Sequence, residues 1–247
     1  MSGTIYKAAS GALLQQMRLD ILSNNLANVN TAGFKADNPE FRLDPSLTGI
    51  AKTRPQSSPI LSPYSPPMKV SIDYGGGQAI QTGNPLDVAL TGSGFFEIQT
   101  QEGLQYTRNG NLTVNVDGVL STSDGYPIMG DGGEINIQGA LVEINESGEI
   151  EVDGNVLGKL KVVDFPQPYD LKKVGNTRFI PAKDDVRGQP AEGYTISQGF
   201  IEASNVNAIR TMTEIIETTR IFETYQRVMR SADEATSKVV NEVGRSI

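Results

Sequence analysis

The 247-residue chain has no His, Cys or Trp. That excludes Ser-His-Asp and Cys-His nucleophiles, thiolate or imidazole metal sites, and any disulfide. Its formal charge of −8 argues against nucleic acid as the main partner.

From the N-terminus, the first 31 residues lack a basic start, an unbroken apolar run and a small-residue cleavage site. The chain is therefore expected to keep its N-terminus if it leaves the cytoplasm. No segment reaches the roughly 18 apolar residues of a membrane span. Apolar residues recur every seven positions: Ile5, Ala12, Leu19 and Leu26 in one column, and Ala8, Gln15, Leu22 and Val29 in the other. This a/d stripe, interrupted only by Gln15, predicts a helix that stops near Asn30 or Gly33.

Seven of the 13 prolines fall between Pro39 and Pro67. Residues 37–67 therefore read as polyproline-like or loop structure, either a linker or an arm ordered against a neighbour. The next zone is β. Of the 26 glycines, 21 lie between Gly75 and Gly199. Asn109-Gly110, Asp117-Gly118, Asp124-Gly125, Ser147-Gly148 and Asp153-Gly154 punctuate short alternating runs, as hairpin turns do. Gly199-Phe200-Ile201 reads as the last strand. The zone is also acidic: Asp73 to Asp164 hold 14 acids and 3 bases, net −11, against net +3 elsewhere.

The C-terminal segment carries the longest stripe: Ala208, Ile215, Phe222, Met229, Thr236 and Val243 beside Thr211, Thr218, Tyr225, Ala232 and Val239. Ser204 or Asn205 is the expected cap and Gly244 the stop. A helix of about 55 Å outruns the face of a compact domain, so two terminal helices pairing as a coiled coil are expected. The fold class is therefore α+β. Residues 1–34 and 204–247 form a helical coiled-coil domain, 35–72 an extended Pro-rich arm, and 73–203 a central all-β sandwich or partly closed barrel.

Chemical motifs are weak. Asp117 to Ile128 lacks calcium-loop ligands at the third, fifth and twelfth positions, and Gly75-Gly76-Gly77 is followed by no phosphate-loop Lys. Glu143, Glu146, Glu149, Glu151 and Asp153 could supply a glycosidase carboxylate pair, but alternate residues of a strand share one face, which reads as a solvated surface. No catalytic, metal or cofactor residue is assigned, and no small-molecule substrate is expected.

The informative cluster is Asn24-Asn25-Leu26-Ala27-Asn28-Val29-Asn30-Thr31-Ala32-Gly33-Phe34-Lys35, with Ser204-Asn205-Val206-Asn207 opening the second helix. A cap needs one such residue, so the surplus amides suggest an interface. The assembly residues expected here are Asn24, Asn25, Leu26, Asn28, Asn30, Thr31, Gly33, Phe34, Ser204, Asn205, Val206 and Asn207. Leu22 to Phe34 resembles the N-terminal signature of bacterial flagellar rod and hook proteins, and Ser204 to Asn207 resembles the start of their C-terminal helix. Asn84 to Leu90, Gly94-Phe95-Phe96, Tyr106-Thr107-Arg108-Asn109-Gly110 and Asp124-Gly125-Tyr126-Pro127 resemble the family's central marks.

The single modest β domain is similar to that of two rod members, and Tyr106 to Asn111, Pro127 to Gly133 and Val156 to Leu160 resemble the proximal one more, with the distal one second. The resemblance implies a non-enzymatic structural subunit, exported unfolded through the flagellar type III apparatus. Its partners would be copies of itself and other rod subunits, with terminal helices forming the inner tube wall of a periplasmic rod. A peptidoglycan-cleaving glycosidase is the remaining alternative. The family's export-gate pattern needs an aliphatic residue four after a Phe. Asn38 follows Phe34 and Pro45 follows Phe41, so no gate residue is carried over.

Overall fold

The computed structural model describes residues 2–41, 68–175, 177–183 and 186–243. They form two compact units. Of the described residues, one holds those within 2–27, 37–41, 68–73 and 207–243, and the other those within 28–36 and 74–206. On this division 28–36 and 204–206 go with the β unit, and 37–41 and 68–73 go with the helices.

In the helical unit, α1 spans Ser2–Ala27 and α2 spans Ala208–Val243. Neither contains proline, and α2 contains no glycine. The cap of α2 is Asn207, not Ser204 or Asn205: its Oδ1 accepts from Arg210 N at 3.0 Å. Ser204 instead accepts from Val206 N at 3.3 Å, and Asn205 is engaged within the β unit. Threonine is a mediocre helix former, yet here five hydroxyls bond back four residues. Thr213, Thr218, Thr219, Thr224 and Thr236 donate to carbonyls at 2.6–3.0 Å, which leaves the one buried hydroxyl among them, that of Thr218, satisfied.

The helices pack together. Ala8, Ala12 and Leu22 are buried on α1, and Ile5, Leu19 and Leu26 are half-buried. Val29 lies beyond the helix end, so its column stops at Leu22. On α2, Thr211 and Thr218 are buried and Ile215, Phe222, Tyr225, Met229 and Ala232 half-buried, while Thr236 is exposed. The side chain of Val239 lies outside the described residues. The helices come close at Gly11: a Cβ there would stand 2.5 Å from Tyr225 Cζ, so the missing side chain makes room for the ring.

The expected arm begins and ends differently. Asp37–Phe41 is a strand paired antiparallel with Met68–Ile72, with Pro39 opposite Val70. A two-stranded ribbon has only edges, so a residue without an N–H is tolerated. Residues 42–67 of the arm lie outside the described residues.

The β unit contains a six-stranded antiparallel sheet in the order Leu171–Val174, Arg178–Pro181, Gly103–Thr107, Phe95–Thr100, Val162–Asp164, Gln189–Pro190. Smaller sheets surround it, and no barrel closes among the described strands. Alternation along Phe95–Thr100 divides the interior. Phe96 and Ile98 join Leu112, Leu120, Ile128, Ile150, Leu160 and Ile196 in an aliphatic core. Phe95 enters an aromatic cluster with Tyr74, Phe165, Tyr169 and Phe179, at centroid distances of 5.5–6.2 Å.

Asp153 (φ 49) and Gly154 (φ 81) form the two-residue turn between Glu149–Val152 and Asn155–Lys159, as a primed turn requires. Asn109-Gly110 does not form such a hairpin. It carries the chain from Gly103–Thr107 in the large sheet to Leu112–Val114 in a separate sheet. Gly110 is needed there because Val88 N donates to its carbonyl at 2.9 Å and a Cβ would collide with the Val88 carbonyl.

Burial, and then the Glu97 carboxylate, push the Tyr106 phenol above its ordinary value of 10.0. Burial and a hydrogen bond to Asp164 push Tyr169 the same way. A raised phenol contributes stability that is complete below about pH 10 and is lost as pH rises through the folded value. Denaturant titrations are therefore expected to show stability falling above about pH 10, with Tyr106→Phe flattening that fall and leaving neutral-pH stability little changed. Phe179→Ala should cost about 3–5 kcal/mol in the same assay, because it opens a cavity among the rings.

Candidate functional site

The Asn-rich segment lies where the chain passes from one unit to the other, between Ala27 and Asn28. On the helical side, Asn25 is buried and uses both ends of its amide. Its Nδ2 donates to Asp37 O at 2.8 Å, and its Oδ1 accepts from Asp37 N at 2.9 Å. Only an amide offers donor and acceptor together in this way.

On the β side the chain turns tightly. Thr31 N donates to Asn28 O at 3.1 Å, and Phe34 N to Thr31 O at 3.3 Å. Gly33 adopts φ +69, and a Cβ there would run into the Arg108–Asn109 peptide. Conformation and space therefore both require glycine. Its N–H donates to Glu202 O at 2.8 Å. Phe34 is fully buried, with Lys173 Nζ 4.2 Å from its ring centroid.

Beside it sits a buried charge group. Lys35 is 1% exposed and Glu202 3%. Lys35 Nζ lies 2.6 Å from Glu202 Oε1 and donates to Gly75 O at 2.8 Å. The same Oε1 accepts from Gly77 N at 2.9 Å. Arg108 NH1 stands 3.5 Å from Glu202 Oε2, an ion-pair separation rather than a short hydrogen bond. Arg108 also donates to Leu90 O at 3.1 Å and Gly92 O at 2.7 Å. Asn205 completes the assembly: its Oδ1 accepts from Ala36 N at 2.7 Å, and its Nδ2 donates to Gly75 O at 3.2 Å.

Residues 33–36, 75–77 and 202–205 thus meet at one point within the β unit, next to the places where the chain leaves it. Of the residues expected from sequence, Gly33, Phe34, Arg108 and Asn205 come together here. Asn109 and Gly110 follow directly on Arg108. Asn28 is buried, Thr31, Ser204 and Val206 are half-buried, and Asn24, Asn30 and Asn207 are exposed. Asp124 and Gly125 form a separate exposed turn. Lys35, Glu202, Lys173, Gly75 and Gly77 were not assigned from sequence. The available signals were Lys35 closing the Asn-rich motif and the Gly75-Gly76-Gly77 run, whose backbone approaches the pair.

The acidic cluster is arranged differently. Glu143 pairs with Glu151 across two strands, and all five carboxylates are exposed. Asn145 Nδ2 donates to Glu149 Oε2 at 2.8 Å. This is a solvated sheet face without a buried acid, whereas glycoside cleavage calls for one carboxyl held protonated. Among the described residues, no three acidic groups gather as a metal site would require.

Removing one partner from a buried pair strands the other charge. Glu202→Gln is therefore expected to lower stability by about 3–5 kcal/mol. Lys35→Met in the same chain should recover part of that loss, and a denaturant double-mutant cycle on the full chain measures the coupling.

Three family models match this chain. Residues 5–35 match "Flagella basal body rod protein", residues 89–156 match "Flagellar hook protein FlgE/F/G D1 domain", and residues 197–242 match "Flagellar basal body rod FlgEFG protein C-terminal". The flagellar basal-body rod protein FlgF of Caulobacter vibrioides is 32% identical, over 99% of both chains. FlgF of Mesorhizobium japonicum is 28% identical, again over 99% of each. The rod protein FlgG of Bacillus subtilis is 31% identical, over 98% of this chain and 99% of its own. The chain belongs to the family of flagellar basal-body rod proteins and is FlgF-like within it, with FlgG close behind.

Proposed function

We propose that the chain is a structural subunit of the proximal flagellar rod, which polymerises into the axial tube and transmits motor torque. The observation that carries this is the end-to-end similarity to FlgF proteins. In this reading the protein acts by contact rather than by catalysis. Its partners are copies of itself and other rod subunits. It reaches the periplasmic rod through the flagellar type III apparatus with its N-terminus retained. Freedom from cysteine cross-links suits a chain that must travel unfolded. The distal-rod reading has specific support from the similarity to FlgG.

The pairing of α1 with α2 supports a coiled coil as the tube-forming element. The half-buried faces of Ile215, Phe222 and Met229 recur every seven residues, the spacing of a coiled-coil seam. Arg108 and Glu202 hold the β unit where its chain passages begin. In this reading the terminal helices mature on assembly, with ordering drawn from interface free energy.

Leu26→Asp and Phe222→Asp are each expected to abolish incorporation into purified basal bodies while the β unit still folds. Swimming at wild-type rates by either variant would overturn the helix-pair role. The isolated chain should show weak, non-cooperative helical circular dichroism from its ends. A fully helical, protease-resistant monomer is the contrary result. Mass spectrometry of basal bodies tests the rod assignment itself, and their lacking this chain would refute it.

A further inference from the structure

Arg108 is 5% exposed, and its charge is only partly matched. Nη1 donates to Leu90 O at 3.1 Å and reaches Glu202 Oε2 at 3.5 Å, and Nη2 donates to Gly92 O at 2.7 Å. The carbonyls are neutral, and Lys35 already holds the Glu202 carboxylate more closely, at 2.6 Å. Arg108 Nε is buried and has no hydrogen-bond partner. A guanidinium carries five N–H donors, so Nε–H and one hydrogen of Nη2 remain. These two lie on one edge of the planar group, an edge that can grip a carboxylate through two parallel hydrogen bonds.

Arg108 also lines a cavity of about 360 Å³, together with Tyr74, Gly92, Ser93, Gln167, Pro168 and Tyr169. All seven residues belong to the β unit, and the volume lies within the range of about 300–1,000 Å³ that small ligands occupy. The Tyr74 and Tyr169 rings meet edge-on at 4.8 Å and offer apolar wall. Ser93 and Gln167 add a hydroxyl and an amide. The one carboxylate bonded to this wall, Asp164, is engaged by the Tyr169 hydroxyl at 2.8 Å. Nε itself is shielded, so docking calls for a small shift of the wall, and the exposed Gln167 is the part with room to move.

We infer that this cavity is a binding site for a single carboxylate, received on the Nε–Nη2 edge of Arg108. A carboxylate is planar, carries one charge and presents two acceptors to two donors. A phosphate dianion would bring a second charge and a further acceptor close to Asp164, and a neutral amide would accept through one oxygen alone. The site stands apart from the rod assignment, so either can fail without the other.

The test follows the Arg108 Nε–H signal by nuclear magnetic resonance, on the full chain with isotope-labelled arginine in carboxylate-free buffer. The probes are acetate, the blocked peptide acetyl-Gly-Glu-Gly-amide, and the same peptide with Gln in place of Glu. A saturable shift is expected with a carboxylate probe, with the Gln peptide binding at least about tenfold more weakly. Tighter binding of the Glu peptide than of acetate marks an acidic side chain of another protein as the natural occupant. Acetate binding as tightly or more tightly marks a small free carboxylate. Ser93→Phe fills the cavity and should weaken binding by about tenfold or more. Gln167→Glu, at an exposed position that leaves the fold intact, places a competing charge on the wall and should do the same. No saturable shift with either carboxylate, an equal response to the Gln peptide, or unchanged binding in Gln167→Glu overturns the site.

Discussion

The β unit depends on a lysine and a glutamate held out of water. Two charges so buried are costly unless each finds close partners, and here the partners are supplied in full. Glu202 receives Lys35, the Gly77 N–H and, at longer range, Arg108. Lys35 gains the Gly75 carbonyl as well. A carboxylate can hold this much only if backbone comes close, and at Gly77 a Cβ would collide with the Ala203 carbonyl. The same group fixes three stretches of chain that are distant in sequence, so the pair specifies an arrangement more than it adds net stability. An apolar pair of equal volume could fill the space, but it would not demand that these particular backbone groups converge.

The surrounding residues follow from that demand. Gly33 lets the chain turn hard against the Arg108–Asn109 peptide. Phe34 then drops into the interior, and Lys173 lies across its ring while its ammonium donates to Lys35 O at 2.7 Å. Arg108 joins the charge group to the aromatic cluster, with its guanidinium carbon 5.3 Å from the Phe95 centroid. Aliphatic core, aromatic cluster and charge group are thus three regions that meet around the strands Phe95–Thr100 and Gly103–Thr107. Phe95 and Phe96, neighbours in sequence, separate the first two.

Much of this was legible in the sequence where a local rule decides. Seven-residue spacing marked both helices and the side of α2 that packs. Asp-Gly pairs marked real turns at 117–118 and 153–154. Rules of the same kind misread Asn109-Gly110, because a close approach by the Val88 carbonyl requires glycine there and not a hairpin. They also misplaced the α2 cap: Asn205 had a longer-range use, and Asn207 was left to serve the helix. The Asp37–Phe41 and Met68–Ile72 ribbon escaped notice because its register is set between segments far apart, one of them containing proline. Glu202 carried no signal at all. A single acid in a short final strand looks like a surface residue until the fold brings Lys35 to it across 167 positions.

That separation has a temporal side. Tyr225 fits against Gly11, and the two helices are drawn from opposite ends of the chain. A polypeptide emerging from a narrow channel in either direction presents one helix long before the other. The first must wait, half its surface without a mate, until nearly the last residues appear. The Lys35–Glu202 contact must wait for residue 202, and the helix pair for residues later still. Both long-range contacts thus close only when nearly all of the chain is present.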